Sequence, residues 1–164
     1  MLKKLLLLVV TGFFLASCAA TNTQQGGDVD AASSSTSSGS DSSITAGTQE
    51  DLIVNVGDRV FFEFDSSERT VDAQATLDAQ AAWLMQYPDT NITIEGHADE
   101  RGTREYNLAL GDKRAFAVYS YLAQSGIDTN RMEYISWGKE RPEVVGSDET
   151  AYSQNRRGVT SVAN

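Results

Sequence analysis

The chain has 164 residues, a formal net charge of −10 at pH 7, one cysteine and one histidine. An acidic chain without a basic stripe cannot displace counterions from phosphates, which argues against nucleic-acid binding. A lone cysteine and a lone histidine argue against a zinc site, and we expect neither a metal nor a cofactor.

The N-terminus has the pattern of a cleaved export signal. Lys3 and Lys4 precede an apolar run over residues 5–15, and small residues then lead to Cys18. The run is shorter than the ~20 residues that a membrane-spanning helix needs, so it is typical of a signal peptide. We expect residues 1–17 to be removed, which takes the net charge from −10 to −12.

Residues 18–50 are expected to form a disordered tether. Between Cys18 and Asp51, Val29 and Ile44 are the only sizeable apolar residues among Ser, Thr, Gly, Ala and Asp. Such a segment buries too little apolar surface to offset the entropy lost on ordering, and about 30 residues have a typical reach of roughly 30 Å. Residues 51–164 are expected to fold as one domain.

The domain is predicted to contain two helices and four strands. Helical spacing from Ala73 ends at Tyr87 and Pro88, and a second helix begins after a Thr103 N-cap. Strands are predicted over residues 60–64, 91–96, 132–137 and, at a sheet edge, 157–162. The order β-α-β-α-β-β predicts an α+β fold with the helices on one face of a small mixed sheet.

The second predicted helix, which ends near Gln124, carries one stripe that should face the sheet. This stripe comprises Leu108, Gly111, Ala115, Val118 and Leu122. Gly111 is expected to permit close backbone approach, to the sheet or to a ligand, because glycine is otherwise unfavourable inside a helix. Phe116 is predicted on the opposite, exposed face.

Charged and polar side chains flank that stripe. Asn107 and Arg114 lie two turns apart with Leu110 beside them, which places the guanidinium near the loop that carries Asp99. On these residues alone, an internal salt bridge between Asp99 and Arg114 is as good an explanation as a ligand site. We expect His97 to act as a hydrogen-bonding residue of the loop.

Long motifs show a family resemblance. GHADERG at residues 96–102, together with segments 62–65, 105–115, 137–142 and 155–157, closely resembles the peptidoglycan-associated lipoproteins of the Tol–Pal system, within the OmpA-like C-terminal domain family. The resemblance implies an outer-membrane lipoprotein, lipidated at Cys18, on the periplasmic face. It also implies non-covalent binding to peptidoglycan, and TolB and TolA as partners.

The resemblance further implies a ligand site. Asp99 and Arg114 match the positions that hold the two ends of a diaminopimelate side chain, a zwitterion that a carboxylate facing a guanidinium would complement. Asn107 is the candidate for a supporting hydrogen bond. The remaining expected ligand-binding residues are Leu110, Phe64, Asp65 and Arg157, although Arg156 and Arg157 could equally cap the last strand.

Two other functions remain possible at this point. An enzyme acting on peptidoglycan could use the loop from His97 to Glu100 as an acid–base centre, although neighbouring carboxylates do not present the opposed geometry of glycosidases. A pure protein-docking module without wall binding is the second alternative.

Overall fold

The computed structural model describes residues 44–163. The predicted signal peptide, Cys18 and residues 18–43 of the predicted tether lie outside the described residues. Four strands form one mixed sheet in the order β1-β4-β2-β3. The elements are α1 (Gln49–Asn55), β1 (Arg59–Phe61), α2 (Val71–Gln86), β2 (Ile92–His97), α3 (Arg104–Gln124), a 3₁₀ turn (Thr129–Arg131), β3 (Met132–Gly138), α4 (Glu149–Asn155) and β4 (Arg157–Val162).

The predicted α+β class and the mixed sheet are confirmed. Strand β2 pairs in parallel with β3 and antiparallel with β4, which also pairs antiparallel with β1. Helices α2 and α3 contribute Leu77, Ala115 and Leu122 to one apolar core with Ile92 and Ile94 of β2. Within the described residues, no helix combines the length and apolar character of a membrane span.

The predicted edge position of β4 is wrong, because this strand lies inside the sheet between β1 and β2. Its polar sequence suggested an edge. In the structure, however, the hydroxyl of Thr160 is buried and donates to Gln80 Oε1 at 2.8 Å, while Gln80 Nε2 donates to Gly57 O at 2.7 Å. Satisfied hydrogen bonds therefore allow a polar side chain at a central strand position.

Two seven-residue helices, α1 and α4, were not predicted. Helix α1 begins at Gln49, ahead of the expected domain start at Asp51. Asp51 is buried and accepts a hydrogen bond from Trp83 Nε1 at 2.9 Å, which fixes α1 against α2. Both helices are too short to show apolar periodicity, and their Thr48 and Asp148 N-caps were the available signals.

Helix α3 begins after its predicted Thr103 N-cap, whose hydroxyl accepts from Tyr106 N. Most of the predicted stripe is buried, but Leu108 is 50% exposed and that part of the prediction is wrong. The reason lies at the end of β3, where a Cβ built on Gly138 would lie 3.0 Å from Leu108 N. Backbone thus meets backbone there, and the Leu108 side chain is left outside the core.

The close approach predicted at Gly111 is to the sheet. A Cβ on Gly111 would lie 2.8 Å from Gly96 O, and one on Gly96 would overlap the carbonyl oxygen of Gly111. The two glycines therefore let α3 lie directly on β2. This contact sets the height of Arg114, one turn further along α3, above the end of β2.

We predict that Gly96→Ala destabilises the domain by ~3 kcal/mol or more, because its Cβ meets helix backbone that cannot move independently. Gly158→Ala is the matched control. Gly158 pairs with Gly96 across the sheet, but its Cβ would meet only side chains, that of Val118 at 3.1 Å and those of Phe62 and Val60 at 3.5 Å. We expect a cost below ~1 kcal/mol there. Urea denaturation of both variants measures the difference, and equal costs would contradict the close-contact interpretation.

Candidate functional site

A cavity of about 170 Å³ opens where three segments meet: the chain after β1, the loop after β2 and the first turns of α3. Its size suits the end of one side chain better than a drug-sized molecule, since pockets for such molecules measure ~300–1,000 Å³. The lining residues are Phe64, Asp65, Asp99, Arg101, Gly102, Tyr106, Asn107, Leu110 and Arg114.

Arg114 forms the base of the cavity and is fully buried. Its Nε donates to Ser66 O at 2.8 Å, Nη1 to His97 O at 2.8 Å and Nη2 to Glu63 O at 3.0 Å. All three acceptors are neutral carbonyls, and no carboxylate of the described residues lies within ion-pair distance. Burial, with the charge of Arg156 adding to it, lowers the pKa of Arg114 to about 10.

The Arg114 guanidinium therefore remains a cation at neutral pH. Asp99 and Asp65 act on its charge only from beyond ion-pair distance. A guanidinium carries five N–H groups, of which the backbone uses three. A buried charge is unfavourable unless it is paired, so this site favours an incoming anion. A carboxylate is the anion whose geometry a guanidinium matches best.

Asp99 lies at the other side of the cavity and, unlike Arg114, has partners of opposite charge. Arg101 donates to it from its backbone N and Nε, both at 3.1 Å, and from Nη2 at 2.6 Å. Arg156 Nη1 lies 3.5 Å away. Burial alone would raise the pKa of the Asp99 carboxyl, but the hydrogen bonds from Arg101 outweigh it and hold the pKa below its ordinary value.

Arg101 lies between two aromatic rings at the cavity mouth. Its guanidinium carbon is 4.1 Å from the centroid of Phe64 and 4.2 Å from that of Tyr152, distances typical of cation–π contacts. Its Nη1 is also 3.6 Å from Glu149 Oε2. Arg101 thus joins the loop after β2 to α4 and to the segment after β1.

Two side chains of α3 hold the rest of the rim. Asn107 is buried, and its Nδ2 donates to Arg101 O at 2.8 Å, which fixes the loop that presents Asp99. The Tyr106 hydroxyl donates to Asp65 Oδ1. Asp65 has a φ of 54°, in the left-handed region that non-glycine residues rarely adopt, and this turns the chain back over the cavity.

Comparison with known proteins gives one family. The OmpA family model matches residues 61–156. The chain belongs to the OmpA family. A peptidoglycan-associated lipoprotein of Rhizobium meliloti (strain 1021) is 61% identical over 116 residues, which are 71% of this chain and 66% of the relative. The chain thus spans slightly less than two thirds of that relative.

Solved structures agree with this assignment. The peptidoglycan-associated lipoprotein from Burkholderia pseudomallei is 44% identical, with a TM-score of 0.63, covering 65% of this chain and 90% of that one. The C-terminal domain of Helicobacter pylori MotB, at 21% identity and a TM-score of 0.60, covers 65% and 84% respectively and shows a shared fold. The family resemblance read from the sequence is therefore confirmed.

In this OmpA-family domain, six of the seven expected ligand-binding residues line one cavity. They are Asp99, Arg114, Asn107, Leu110, Phe64 and Asp65. Arg157 is not among the lining residues. Its Nη2 lies 3.4 Å from Glu143 and 3.3 Å from Arg141 O.

One alternative from the sequence also has an outcome. Asp99 and Arg114 are not within ion-pair distance, so the internal salt bridge between them does not form. The sequence also missed Arg101 and Tyr106 as lining residues. Both had one available signal, a position within the matching motifs, Arg101 two residues after Asp99 and Tyr106 directly before Asn107.

His97 does not act as a hydrogen-bonding loop residue. It ends β2 and is buried, and neither ring nitrogen makes a hydrogen bond among the described residues, although Nε2 lies 3.5 Å from Glu95 Oε2. Burial first, and then the charge of Arg157, lower the pKa of His97 to about 4. Its contribution to the cavity is its backbone carbonyl, which accepts a hydrogen bond from Arg114.

Within residues 44–163, no group of three or more potential ligands could hold a metal ion.

We predict that the domain loses stability as the pH falls from 7 to 4. His97 has a pKa of about 4 when folded and an ordinary value of 6.5, so the unfolded chain binds the proton first. Stability therefore falls with pH across this window, by up to ~3 kcal/mol. Urea denaturation across the window measures the slope. His97→Gln should flatten it, and an unchanged slope in that variant would contradict the assignment.

Proposed function

We propose that this chain is a non-catalytic outer-membrane lipoprotein that binds the diaminopimelate stem peptide of peptidoglycan reversibly. The observation that carries the proposal is the buried, unneutralised Arg114 cation in a cavity whose opposite side presents Asp99. The OmpA-family match and the relatives named peptidoglycan-associated lipoprotein support it.

The free end of diaminopimelate carries an ammonium and a carboxylate on one carbon. The carboxylate would accept hydrogen bonds from the two Arg114 N–H groups that the backbone leaves free. The ammonium would donate a hydrogen bond to Asp99. Because the contact is buried, these charge-assisted hydrogen bonds are stronger than an exposed ion pair, which contributes only ~0.2–1 kcal/mol. Asn107 would hold the loop in place through Arg101 O.

The proposed cellular arrangement follows from the N-terminus. Acyl chains on Cys18 would anchor the chain to the periplasmic face of the outer membrane, and the residues between Cys18 and α1 would span the gap to the cell wall. Reversible binding suits a protein that is released and recaptured during envelope constriction. The protein partners in this arrangement would be TolB and TolA of the Tol–Pal system. TolB would compete with the cell wall for a surface that overlaps the cavity.

The enzyme alternative is less well supported by the electrostatics. A general acid or base works best with a pKa near the operating pH. The pKa of Asp99 is held low by arginines, that of Glu100 is lowered by hydrogen bonds from Ser147 and Tyr152, and that of His97 is lowered to about 4 by burial. The loop therefore favours fixed charges over proton transfer.

We predict that the chain from Ala19 to Asn164 binds a soluble stem peptide with diaminopimelate at least tenfold more tightly than the matching lysine peptide. Lysine lacks the distal carboxylate, so Arg114 gains no partner, a loss of ~1.5–3 kcal/mol. Isothermal titration calorimetry measures both affinities. Equal affinities would contradict the proposed role of Arg114.

A matched pair of variants tests the same site. Arg114→Met should abolish measurable binding. Arg131→Met is the control, because Arg131 also donates to backbone carbonyls, those of Leu84, Tyr87 and Thr90, but does not line the cavity. Arg131→Met should lower the free energy of unfolding and leave the affinity of the folded protein for the peptide unchanged. Equal binding by both variants would contradict the role of Arg114, and absence of binding by the wild-type chain would favour the protein-docking alternative. Release of soluble fragments from purified sacculi by the wild-type chain would favour the enzyme.

A further inference from the structure

Arg101 is the residue of the cavity whose role the proposed function leaves open, and the inference that follows rests on that function. We propose that Arg101 is an internal cation that occupies the ammonium position on Asp99 while the site is empty. When a ligand ammonium binds Asp99, Arg101 moves to Glu149. Arg101 is thus a specificity-determining residue. Because of it, the ligand carboxylate contributes more to the binding affinity than the ligand ammonium does.

The first step is the occupancy of Asp99. A carboxylate offers about four acceptor positions. Arg101 fills three of them through its backbone N, Nε and Nη2, and Arg156 Nη1 lies 3.5 Å from the oxygen that Nη2 contacts. Arg156 Nη1 makes no hydrogen bond at that distance, but it faces the fourth position. An ammonium therefore gains more than one acceptor on Asp99 only when the side chain of Arg101 withdraws.

The second step identifies which arginine withdraws. Arg156 is buried, with its Nε donating to Phe62 O at 3.0 Å and its Nη2 lying 2.7 Å from Glu149. Arg101 lines the cavity, and its side chain is 35% exposed. Arg156 is thus fixed to the sheet, whereas Arg101 stands at the cavity mouth with solvent on one side.

The third step is the place that receives Arg101. Glu149 Oε2 is 3.6 Å from Arg101 Nη1, and the Glu149 side chain is 65% exposed. The Tyr152 ring, one turn along α4 from Glu149, already contacts the guanidinium. A small rotation toward α4 keeps both the aromatic contact and a carboxylate partner, so Arg101 leaves Asp99 without becoming an unpaired cation.

The two halves of the site therefore differ in energy. At Asp99, ligand binding exchanges one cation for another. At Arg114 it adds an anion where no described carboxylate lies within ion-pair distance. A ligand without the ammonium should then bind almost as well as diaminopimelate, whereas a ligand without the carboxylate should bind poorly.

The test uses calorimetry on the chain from Ala19 to Asn164 with two peptides, one with diaminopimelate and one with 2-aminopimelate, which keeps the distal carboxylate and lacks the ammonium. Arg101→Met removes the charge and keeps an apolar stem between the two rings. We expect this variant to bind the diaminopimelate peptide about tenfold more tightly than wild type does, and the 2-aminopimelate peptide within about twofold of wild type.

Arg104→Met is the matched control. Arg104 lies three residues further on, is exposed, pairs with Glu140 and does not line the cavity. It should change neither affinity. Weaker or unchanged binding of diaminopimelate by Arg101→Met, or an equal gain for both peptides, would overturn the inference.

A second variant answers the question if Arg101→Met does not fold. Glu149→Gln removes the receiving carboxylate from an exposed position, and it should weaken diaminopimelate binding about threefold while leaving 2-aminopimelate binding unchanged. No change with either peptide would overturn the inference. If the wild-type chain binds neither peptide, the proposed function fails and the inference falls with it. If wild type binds and Arg114→Met does not, failure at Arg101 or Glu149 leaves the proposed function standing.

Discussion

The buried guanidinium of Arg114 is the interaction on which this site depends. Its three carbonyl partners come from two parts of the chain, Glu63 and Ser66 after β1 and His97 at the end of β2. The side chain therefore joins α3 to both. Those hydrogen bonds offset part of the free-energy cost of burying the cation. An anion that binds next to it would offset the rest of that cost. The same contacts that build the cavity thus give it a preference for carboxylates.

The chain is acidic as a whole, with a net charge of −10, yet arginines concentrate at this cavity. Arg101 and Arg156 share Asp99 and Glu149, while Arg114 has no described carboxylate partner. This uneven distribution distinguishes a receptive site from a closed ion-pair network. A network with equal charges would gain little from a ligand, whereas here one half of a zwitterion finds an unfilled position.

Helical periodicity predicted the two long helices, and the order of elements predicted the mixed sheet. Most of the cavity residues were identified through the family resemblance of the long motifs. The sequence failed where the answer depends on pairing across the chain. The central position of β4 depends on the hydrogen bond between Thr160 and Gln80, 80 residues apart. Arg156, the C-cap of α4, lies 3.5 Å from Asp99, whereas Arg157, the first residue of β4, lies 3.4 Å from Glu143. Both contacts join residues distant in the chain, so the sequence does not show them. Leu108 is exposed because backbone, and not a side chain, packs against its turn.

A crystal structure of the chain from Ala19 to Asn164 with a diaminopimelate stem peptide tests the account most directly. We expect one oxygen of the distal carboxylate to lie ~2.7–2.9 Å from an Arg114 Nη atom, with the bonds to Glu63, Ser66 and His97 intact. A peptide bound elsewhere, with Arg114 still touching only backbone carbonyls, would contradict the account.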